Sequence, residues 1–410
     1  MDLGDGADAG PVPVLWLCGP AGVGKSTIGW EIFSQLTESG VEAGFVDIDQ
    51  LGMCYPEPPA DPGRHWLKLR NLCAVVANYR TAGARCVIVS GIVDAPHRLH
   101  AGLIPGAVLT VGRLRVDRDE LKQRFLGRGE SADLVEEVLA EADAMDATDF
   151  ADVCVDTSGL PVAEVTRLVR ERLAGWPALI DPTSPDETAA DETVGATADG
   201  SVLLLCGPTG VGKSTVGFQV YVRTVRAGLT AAYIDLDQIG FLRPAPADDR
   251  GNHRVKARNL ASMGQVFGDL GAQCLIAVGP IENDAVAKAY AAALPQASVT
   301  VGRLHADADE LTRRIMLRGQ GGASWPQPGD PLAGRPAAHL LQVAARASTD
   351  AEALDDAMSD ALCVDTTTLT VEESADMIAA RAGWPPRAED LTAPPTGSAQ
   401  VNSIGAPLML

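Results

Sequence analysis

Two short glycine-rich segments carry the residue types and spacing that can hold a nucleotide phosphate. The first runs Gly-Pro-Ala-Gly-Val-Gly-Lys-Ser from Gly19 to Ser26, and the second runs Gly-Pro-Thr-Gly-Val-Gly-Lys-Ser from Gly207 to Ser214. Each follows an apolar run and precedes an amphipathic stretch, which is the strand, loop and helix order that the G-x-x-x-x-G-K-[ST] motif requires. The predicted nucleotide-binding residues are Gly19, Gly22, Gly24, Lys25, Ser26 and Thr27, and Gly207, Gly210, Gly212, Lys213, Ser214 and Thr215.

The chemistry of such a loop is the capture of phosphate oxygens. Glycine lets the backbone curl so that successive N–H groups point at one anion, and the start of the next helix adds partial positive charge. Lys25 would reach the β- and γ-phosphates, and Ser26 would offer its hydroxyl to Mg²⁺, as would Lys213 and Ser214 in the second segment. The alternative is a chance glycine-rich turn, which would have to occur twice in the same context.

A pair of aspartates, one residue apart, closes the next apolar run after each loop. The pairs are Asp47 with Asp49 and Asp235 with Asp237. At the carboxyl edge of a sheet, one carboxylate of each pair could join the metal shell and the other could orient an acceptor hydroxyl. The predicted metal ligands are Ser26, Asp47, Ser214 and Asp235. An acidic strand end that is merely solvated is the alternative.

A polar stretch with the same spacing follows each aspartate pair. On a helix, His65 and Lys68 share one face with the residues one turn further on. Lysine and arginine there could grip an anionic substrate, although a solvated helix face is an equally good interpretation. The predicted substrate-binding residues are His65, Lys68, Arg70 and Asn71, and His253, Lys256, Arg258 and Asn259.

Two arginines, four residues apart, lie on a later helix of each half. Arg124 and Arg128 precede a glycine, and so do Arg314 and Arg318. Such a helix can close over the nucleotide as a lid and neutralise the oxygens of the transferred phosphoryl group. The predicted catalytic residues are Lys25, Asp47, Asp49, Arg124 and Arg128, and Lys213, Asp235, Asp237, Arg314 and Arg318.

The elements that must position these residues alternate between apolar strands and amphipathic helices. Five apolar runs in the first half, beginning with Val12 to Cys18, are separated by helical patterns, and the second half repeats the order. Strands that are apolar on both faces and alternate with helices are typical of a parallel sheet covered on both sides. The sequence therefore predicts an α/β protein of two tandem domains, each with a five-stranded parallel sheet and helices on both faces.

Composition supports this domain division and narrows the partners. We predict a disordered N-terminus over 1–11, a first domain over 12–177, an acidic linker over 178–200, a second domain over 201–386 and a disordered tail over 387–410. The net charge of −21 argues against nucleic acid and anionic membrane as partners. No long uncharged apolar run is present, and no C-x-x-C spacing occurs among the eight cysteines, so a cytoplasmic protein is expected.

Together, the phosphate loop, the Asp-x-Asp pair, the Ser90-Gly91 end of the third strand and the Leu-x-x-Arg-x-x-x-Arg helix resemble small-molecule kinases of the P-loop NTPase superfamily. The resemblance is to the shikimate-, gluconate- and adenylate-type enzymes and covers each half nearly end to end. It implies that the loop lysine and serine hold nucleotide and Mg²⁺, that the Asp-x-Asp carboxylates contact metal and acceptor, and that the lid arginines cover the phosphates. The chain lacks the Gly-Gly-Gly of shikimate kinases.

Two functions remain open on the sequence alone. One is phosphotransfer from ATP to a hydroxyl or phosphate group of an unidentified small molecule, with Mg²⁺ as cofactor. The other is a regulatory protein that binds or hydrolyses ATP at two sites and passes its state to a partner. In either case the two halves are expected to form an intramolecular pseudo-dimer.

Overall fold

The computed structural model describes residues 10–92, 102–129, 131–178, 200–321, 330–358 and 361–386. The first nine residues, nearly all of the predicted linker and the whole predicted tail lie outside this part of the chain, so the domain limits stay predictions. In the described residues, no helix is both long and apolar enough to cross a membrane.

The first half contains six strands and five helices among its described residues. In chain order they are β1 (Val12–Cys18), α1 (Lys25–Glu38), β2 (Ala43–Asp47), β3 (Cys54–Tyr55), α2 (His65–Thr81), β4 (Cys86–Ser90), β5 (Ala107–Arg115), α3 (Arg118–Gly127), α4 (Val135–Asp146), β6 (Val153–Asp156) and α5 (Val162–Arg172).

The described part of the second half repeats this order and has one more helix. Its elements are β7 (Ser201–Cys206), α6 (Lys213–Arg226), β8 (Ala231–Asp235), β9 (Phe241–Arg243), α7 (His253–Asp269), β10 (Cys274–Val278), α8 (Asp284–Ala292), β11 (Ser298–His305), α9 (Ala308–Gly319), α10 (Ala337–Ala357), β12 (Leu362–Asp365) and α11 (Val371–Ala382).

The strands form two sheets with corresponding orders, β6-β5-β1-β4-β2-β9 and β12-β11-β7-β10-β8-β3. Five strands of each sheet run parallel, which confirms the predicted α/β class. The predicted number of strands needs correction, because each sheet has a sixth, antiparallel strand at its edge. Loops at the carboxyl ends of the five parallel strands meet at one edge of the sheet, where ligands bind in such folds.

The sixth strand of each sheet comes from the other half of the chain. In the first sheet β9 pairs with β2, and Phe45 lies opposite Phe241. In the second sheet β3 pairs with β8, and Cys54 lies opposite Ala232. The exchanged strands are two and three residues long, too short to show the alternation by which a strand is recognised in sequence.

The two faces of each sheet are buried in different ways. In β1, Leu15 and Leu17 pack with residues of α1 and α5. The alternate residues Val14 and Trp16 belong to a second core that contains residues of α2 and α7 and of both sheets. Helices therefore cover both faces, as predicted, and the halves share one hydrophobic core.

Helices α2 and α7, which carry the predicted substrate-binding residues, begin at similar caps. The side chain of Asp61 accepts hydrogen bonds from the backbone N–H groups of Trp66 and Leu67 at 3.0 and 2.9 Å. Asp249 accepts from His253 and Arg254 at 2.8 and 3.0 Å. Capping by aspartate satisfies free N–H groups and places negative charge at the positive end of the helix dipole.

Candidate functional site

The first phosphate loop is a tight backbone turn between β1 and α1. At Gly19 the φ angle is +144°, and a Cβ atom there would lie 2.4 Å from the Leu114 carbonyl oxygen, so only glycine fits. Lys25 is buried, and its Nζ donates to the carbonyl oxygens of Gly19 and Pro20 at 2.9 and 3.0 Å. Burial lowers the pKa of this lysine. These contacts hold the amine within the loop that would receive the phosphates.

The second phosphate loop has the same geometry. Gly207 has a φ angle of +147°, and Lys213 Nζ donates to the carbonyl oxygens of Gly207 and Pro208 at 2.8 and 3.0 Å. A cleft of about 420 Å³ lies over this loop and is lined by residues 209–216, including Thr215. In the first half, Thr27 is exposed on the first turn of α1.

The loop serine contacts the first aspartate of each pair. Ser26 Oγ donates to Asp47 Oδ2 at 2.6 Å, and Ser90 Oγ donates to the same oxygen at 2.9 Å. In the second half Ser214 Oγ donates to Asp235 Oδ2 at 2.7 Å. Burial, followed by repulsion from the second aspartate of the pair, raises the pKa of Asp47 and raises that of Asp235 to about 6. Each site thus brings a serine hydroxyl next to an aspartate whose ionised form is disfavoured by burial. A cation bound there would stabilise the ionised carboxylate.

These oxygens suit the predicted cofactor. Mg²⁺ prefers oxygen ligands and typically takes one or two from the protein while phosphates and water supply the rest. The hydroxyl and carboxylate beside each phosphate loop fit this pattern. In the described residues, no group of three or more histidine, cysteine, aspartate or glutamate side chains could hold a metal without a nucleotide.

The second aspartate of each pair forms an ion pair with the lysine of the following helix. Asp49 Oδ1 lies 2.7 Å from Lys68 Nζ, and Asp237 Oδ1 lies 2.8 Å from Lys256 Nζ. Burial opposes ionisation of these aspartates, but the lysines outweigh it and hold the pKa of each carboxyl below its usual range. The structure therefore joins the aspartate pair to the polar stretch, and both lysines are already neutralised.

The predicted substrate-binding asparagines and arginines have structural contacts or lie on the surface. The side-chain amides of Asn71 and Asn259, both fully buried, donate to the carbonyl oxygens of Leu51 and Ile239, each at 2.6 Å. They brace the turn after the aspartate pair. Arg70 instead faces Asp269 of the second half at 2.8 Å, and its counterpart Arg258 is exposed.

The two histidines lie at the start of their helices, beside the turn after each aspartate pair. His253 Nε2 lies 3.0 Å from Glu282 Oε2, and its Nδ1 lies 2.9 Å from Tyr290 Oη. His253 is also among the groups that lower the pKa of Asp237, after Lys256 and Lys213. His65 packs with its Nε2 close to Gly63, as His253 does to Gly251.

The first arginine of each lid helix links the lid to the phosphate loop. Arg124 pairs with Glu120 at 2.6 Å and donates to the Val23 carbonyl and to Thr157. Arg314 does the same with Glu310, Val211 and Thr366. The second arginines differ, because Arg128 is exposed, whereas Arg318 lines the cleft and pairs with Asp330 at 2.7 Å.

Three site residues, Glu120, Glu310 and Glu141, were missed in the sequence. Glu120, like Glu310, fixes the lid arginine from four residues upstream, a spacing that the sequence shows and that could have identified it. Burial raises the pKa of the Glu141 carboxyl on α4, and the nearby Lys25 and Ala21 N–H oppose that rise. No local pattern marks Glu141, since only the packing of α3 and α4 on Ala21 brings it to the loop.

The comparisons with known proteins find similar solved structures but no matching family model and no matching curated protein. A gluconokinase from Sinorhizobium meliloti is 22% identical with a TM-score of 0.29, and the match covers 40% of this chain and 92% of that one. A shikimate kinase from Bacteroides thetaiotaomicron is 15% identical with a TM-score of 0.30, and the match covers 45% of this chain and 98% of that one. The Mycobacterium tuberculosis APS kinase is 20% identical with a TM-score of 0.28, and the match covers 40% of this chain and 98% of that one. At these scores and identities the matches establish no shared activity.

Proposed function

We propose that this chain is an ATP-dependent phosphotransferase that moves the γ-phosphoryl group to a hydroxyl or phosphate group of a small molecule. One observation carries the proposal. In each half, a serine of the phosphate loop contacts the first aspartate of a pair, and the second aspartate stands two residues further along at the same sheet edge. This order sets a phosphate site, a cation site and an acceptor carboxylate side by side.

Each residue then has a distinct task on the nucleotide side. The loop N–H groups and Lys25 or Lys213 would bind the phosphates, and Ser26 with Asp47, or Ser214 with Asp235, would hold Mg²⁺. When bound, the cation would neutralise charge that develops on the phosphate oxygens. Arg318, which lines the second cleft, would add positive charge from the lid.

On the acceptor side, Asp49 and Asp237 would orient the attacking hydroxyl. A carboxylate whose pKa is held low by a lysine stays ionised at neutral pH and accepts a hydrogen bond readily. The same low pKa makes it a weak base, so positioning is its main contribution. As the acceptor oxygen bonds to phosphorus, the bond to the ADP oxygen breaks, and the hydroxyl proton leaves through the carboxylate or to water.

One feature of the first half favours the alternative function, a nucleotide-binding regulatory role. Glu141 lies near Lys25 and near the Ala21 N–H of the phosphate loop. Its counterpart in the second half, Asp350, is close to Arg346 instead, at 4.0 Å. A carboxylate at the loop competes with phosphate, so the first half would bind nucleotide less readily and could serve as a sensor beside a catalytic second half.

The shared core and the exchanged strands support the idea that the halves act as an intramolecular pseudo-dimer. The side-chain amide of Asn78 on α2 also donates to Asn259 on α7 at 2.9 Å. This contact joins the two helices that follow the aspartate pairs.

The test is acceptor-dependent formation of ADP by the full chain, with the phosphorylated product identified by mass spectrometry. A panel of small hydroxyl and phosphate compounds would be compared in the unmodified chain and in the Lys25→Ala and Lys213→Ala variants. Transfer that survives one of these substitutions but not the other assigns turnover to the half whose lysine is required. Tight nucleotide binding with slow hydrolysis that no acceptor accelerates would reject the phosphotransferase and favour the regulatory role.

A further inference from the structure

The charges around the acceptor carboxylates restrict the kind of molecule that can bind there, given that the proposed phosphotransfer is correct. A site that selects a carboxylate or phosphate normally presents an unpaired lysine or arginine to it. Among the described residues around each acceptor aspartate, the nearest lysine side chains already form ion pairs within the protein.

The two lysines nearest to the site are locked in place. Lys68 and Lys256 are nearly buried, with side chains 13% and 7% exposed, and each ammonium pairs with the acceptor aspartate. Their stems cross directly over glycines. A Cβ atom on Gly52 would lie 2.7 Å from the Lys68 side chain, and one on Gly240 would lie 2.4 Å from that of Lys256. Neither lysine is an arm that can swing to a ligand.

The neighbouring arginines are also engaged. In the first half, Arg64 donates to the Gly52 carbonyl at 2.8 Å, pairs with Glu57 at 3.1 Å and stacks over Tyr55. Asn252 occupies the corresponding position in the second half and donates to the Gly240 carbonyl at 3.1 Å. The residue at this position therefore stabilises the turn after the aspartate pair in both halves.

The arginines of the segment from β9 to the end of α7 do not form an anion site that the two halves have in common. Arg254 pairs with Asp248 at 2.7 Å, and Arg243 lies over Trp30 of the first half. Arg258 follows Lys256 by two residues and so projects about 200° around the helix from it. Arg250 is exposed in the loop before α7, where the first half has Pro62.

The accessible charges are instead negative. In the second half the side chains of Asp237 and Glu282 are 48% and 56% exposed, and Glu282 lies 3.0 Å from His253 Nε2. In the first half Glu57 is the exposed partner of Arg64. In the described part of the second half, an anionic acceptor at Asp237 would therefore meet two exposed carboxylates, while Lys256 and Arg254 are already paired.

From this arrangement we infer that the acceptor is a hydroxyl compound with no carboxylate or phosphate group. Its hydroxyl groups donate hydrogen bonds to Asp237, and the exposed carboxylate of Glu282 can accept a further hydrogen bond. The sequence-based expectation that lysine and arginine grip an anion is thereby reversed, because their charge is used inside the protein.

The test compares matched acceptors on the full chain carrying Lys25→Ala, which leaves one intact phosphate loop. Alditols, cyclitols and nucleosides are each paired with the carboxylate or phosphate derivative of the same skeleton, and acceptor-dependent ADP release is measured with Mg²⁺ and ATP. The expected kcat/KM is at least tenfold higher for the uncharged member of a pair. Equal or better use of the anionic member would overturn the inference. Bound nucleotide with no transfer to either member would instead reject the proposed phosphotransfer.

A binding measurement tests the cause separately from turnover. Asp237→Asn removes the carboxylate that neutralises Lys256 and leaves net positive charge at the site, so calorimetry with gluconate as the probe should show at least tenfold tighter binding than in the unmodified chain. The double variant Asp237→Asn with Lys256→Met should lose this gain. An unchanged gluconate affinity in Asp237→Asn would show that the ion pair does not exclude anions and would overturn the inference.

Discussion

Replacing Phe241 with alanine should loosen the first sheet, although Phe241 belongs to the second half of the sequence. In β9 its ring lies 4.8 Å from that of Trp30 and 6.1 Å from that of Phe45, both in the first half. Truncating a fully buried phenylalanine costs about 3–5 kcal/mol, and Phe241 is only partly buried. Two aromatic pairs contribute about 1–3 kcal/mol in addition to the free energy from the buried apolar surface. Both considerations give a loss of about 2 kcal/mol.

Hydrogen exchange read by mass spectrometry can locate that loss. If β9 stabilises β2, the amides of residues 43–47 should exchange about thirtyfold faster, since every 1.4 kcal/mol is a factor of ten. Phe218→Ala is the matched control. Its ring is also partly buried, and its centroid lies 5.6 and 5.8 Å from those of Tyr221 and Tyr233. Equal protection of residues 43–47 in the two variants would refute the coupling through the exchanged strand.

Four further outcomes follow from the sites. Calorimetry should give two nucleotide sites per chain, and Lys25→Ala should remove one of them; a single site in the unmodified protein would contradict this. In a Lys213→Ala background, Glu141→Gln should strengthen nucleotide binding by about tenfold by removing a like charge near the phosphates, whereas the matched Asp350→Asn should not. Asp49→Asn in a Lys213→Ala background and Asp237→Asn in a Lys25→Ala background should each lower the remaining transfer by about 10²-fold or more and change nucleotide affinity little, and full turnover in both would reject their role. Because the pKa of Asp235 is raised to about 6 and its ionised form binds the cation, Mg²⁺-nucleotide affinity of the second half should fall as pH drops through 6; Asp235→Asn should bind weakly with a flat pH profile.

The phosphate loops and the aspartate pairs were predictable because their geometry is local. Glycine at Gly19 and Gly207 is required by the backbone turn itself, and the spacing from loop to helix follows from a few adjacent residues. The parallel sheet was predictable for a similar reason, since apolar strands alternating with helices have few other ways to bury both faces. The sequence by itself thus determined the fold class and identified the residues that stand at the sheet edge.

Only the tertiary structure decided how the charges of those residues are used. Lys68 and Asp49 are far apart in sequence, and nothing local shows that they neutralise each other at 2.7 Å. The position of Glu141 at the phosphate loop depends in the same way on the packing of a distant helix. The exchanged strands were beyond reach as well, because two or three residues carry no periodic signal and their partners belong to the other half. Local conformation follows from neighbouring residues, whereas ion pairing and strand exchange depend on which distant surfaces meet.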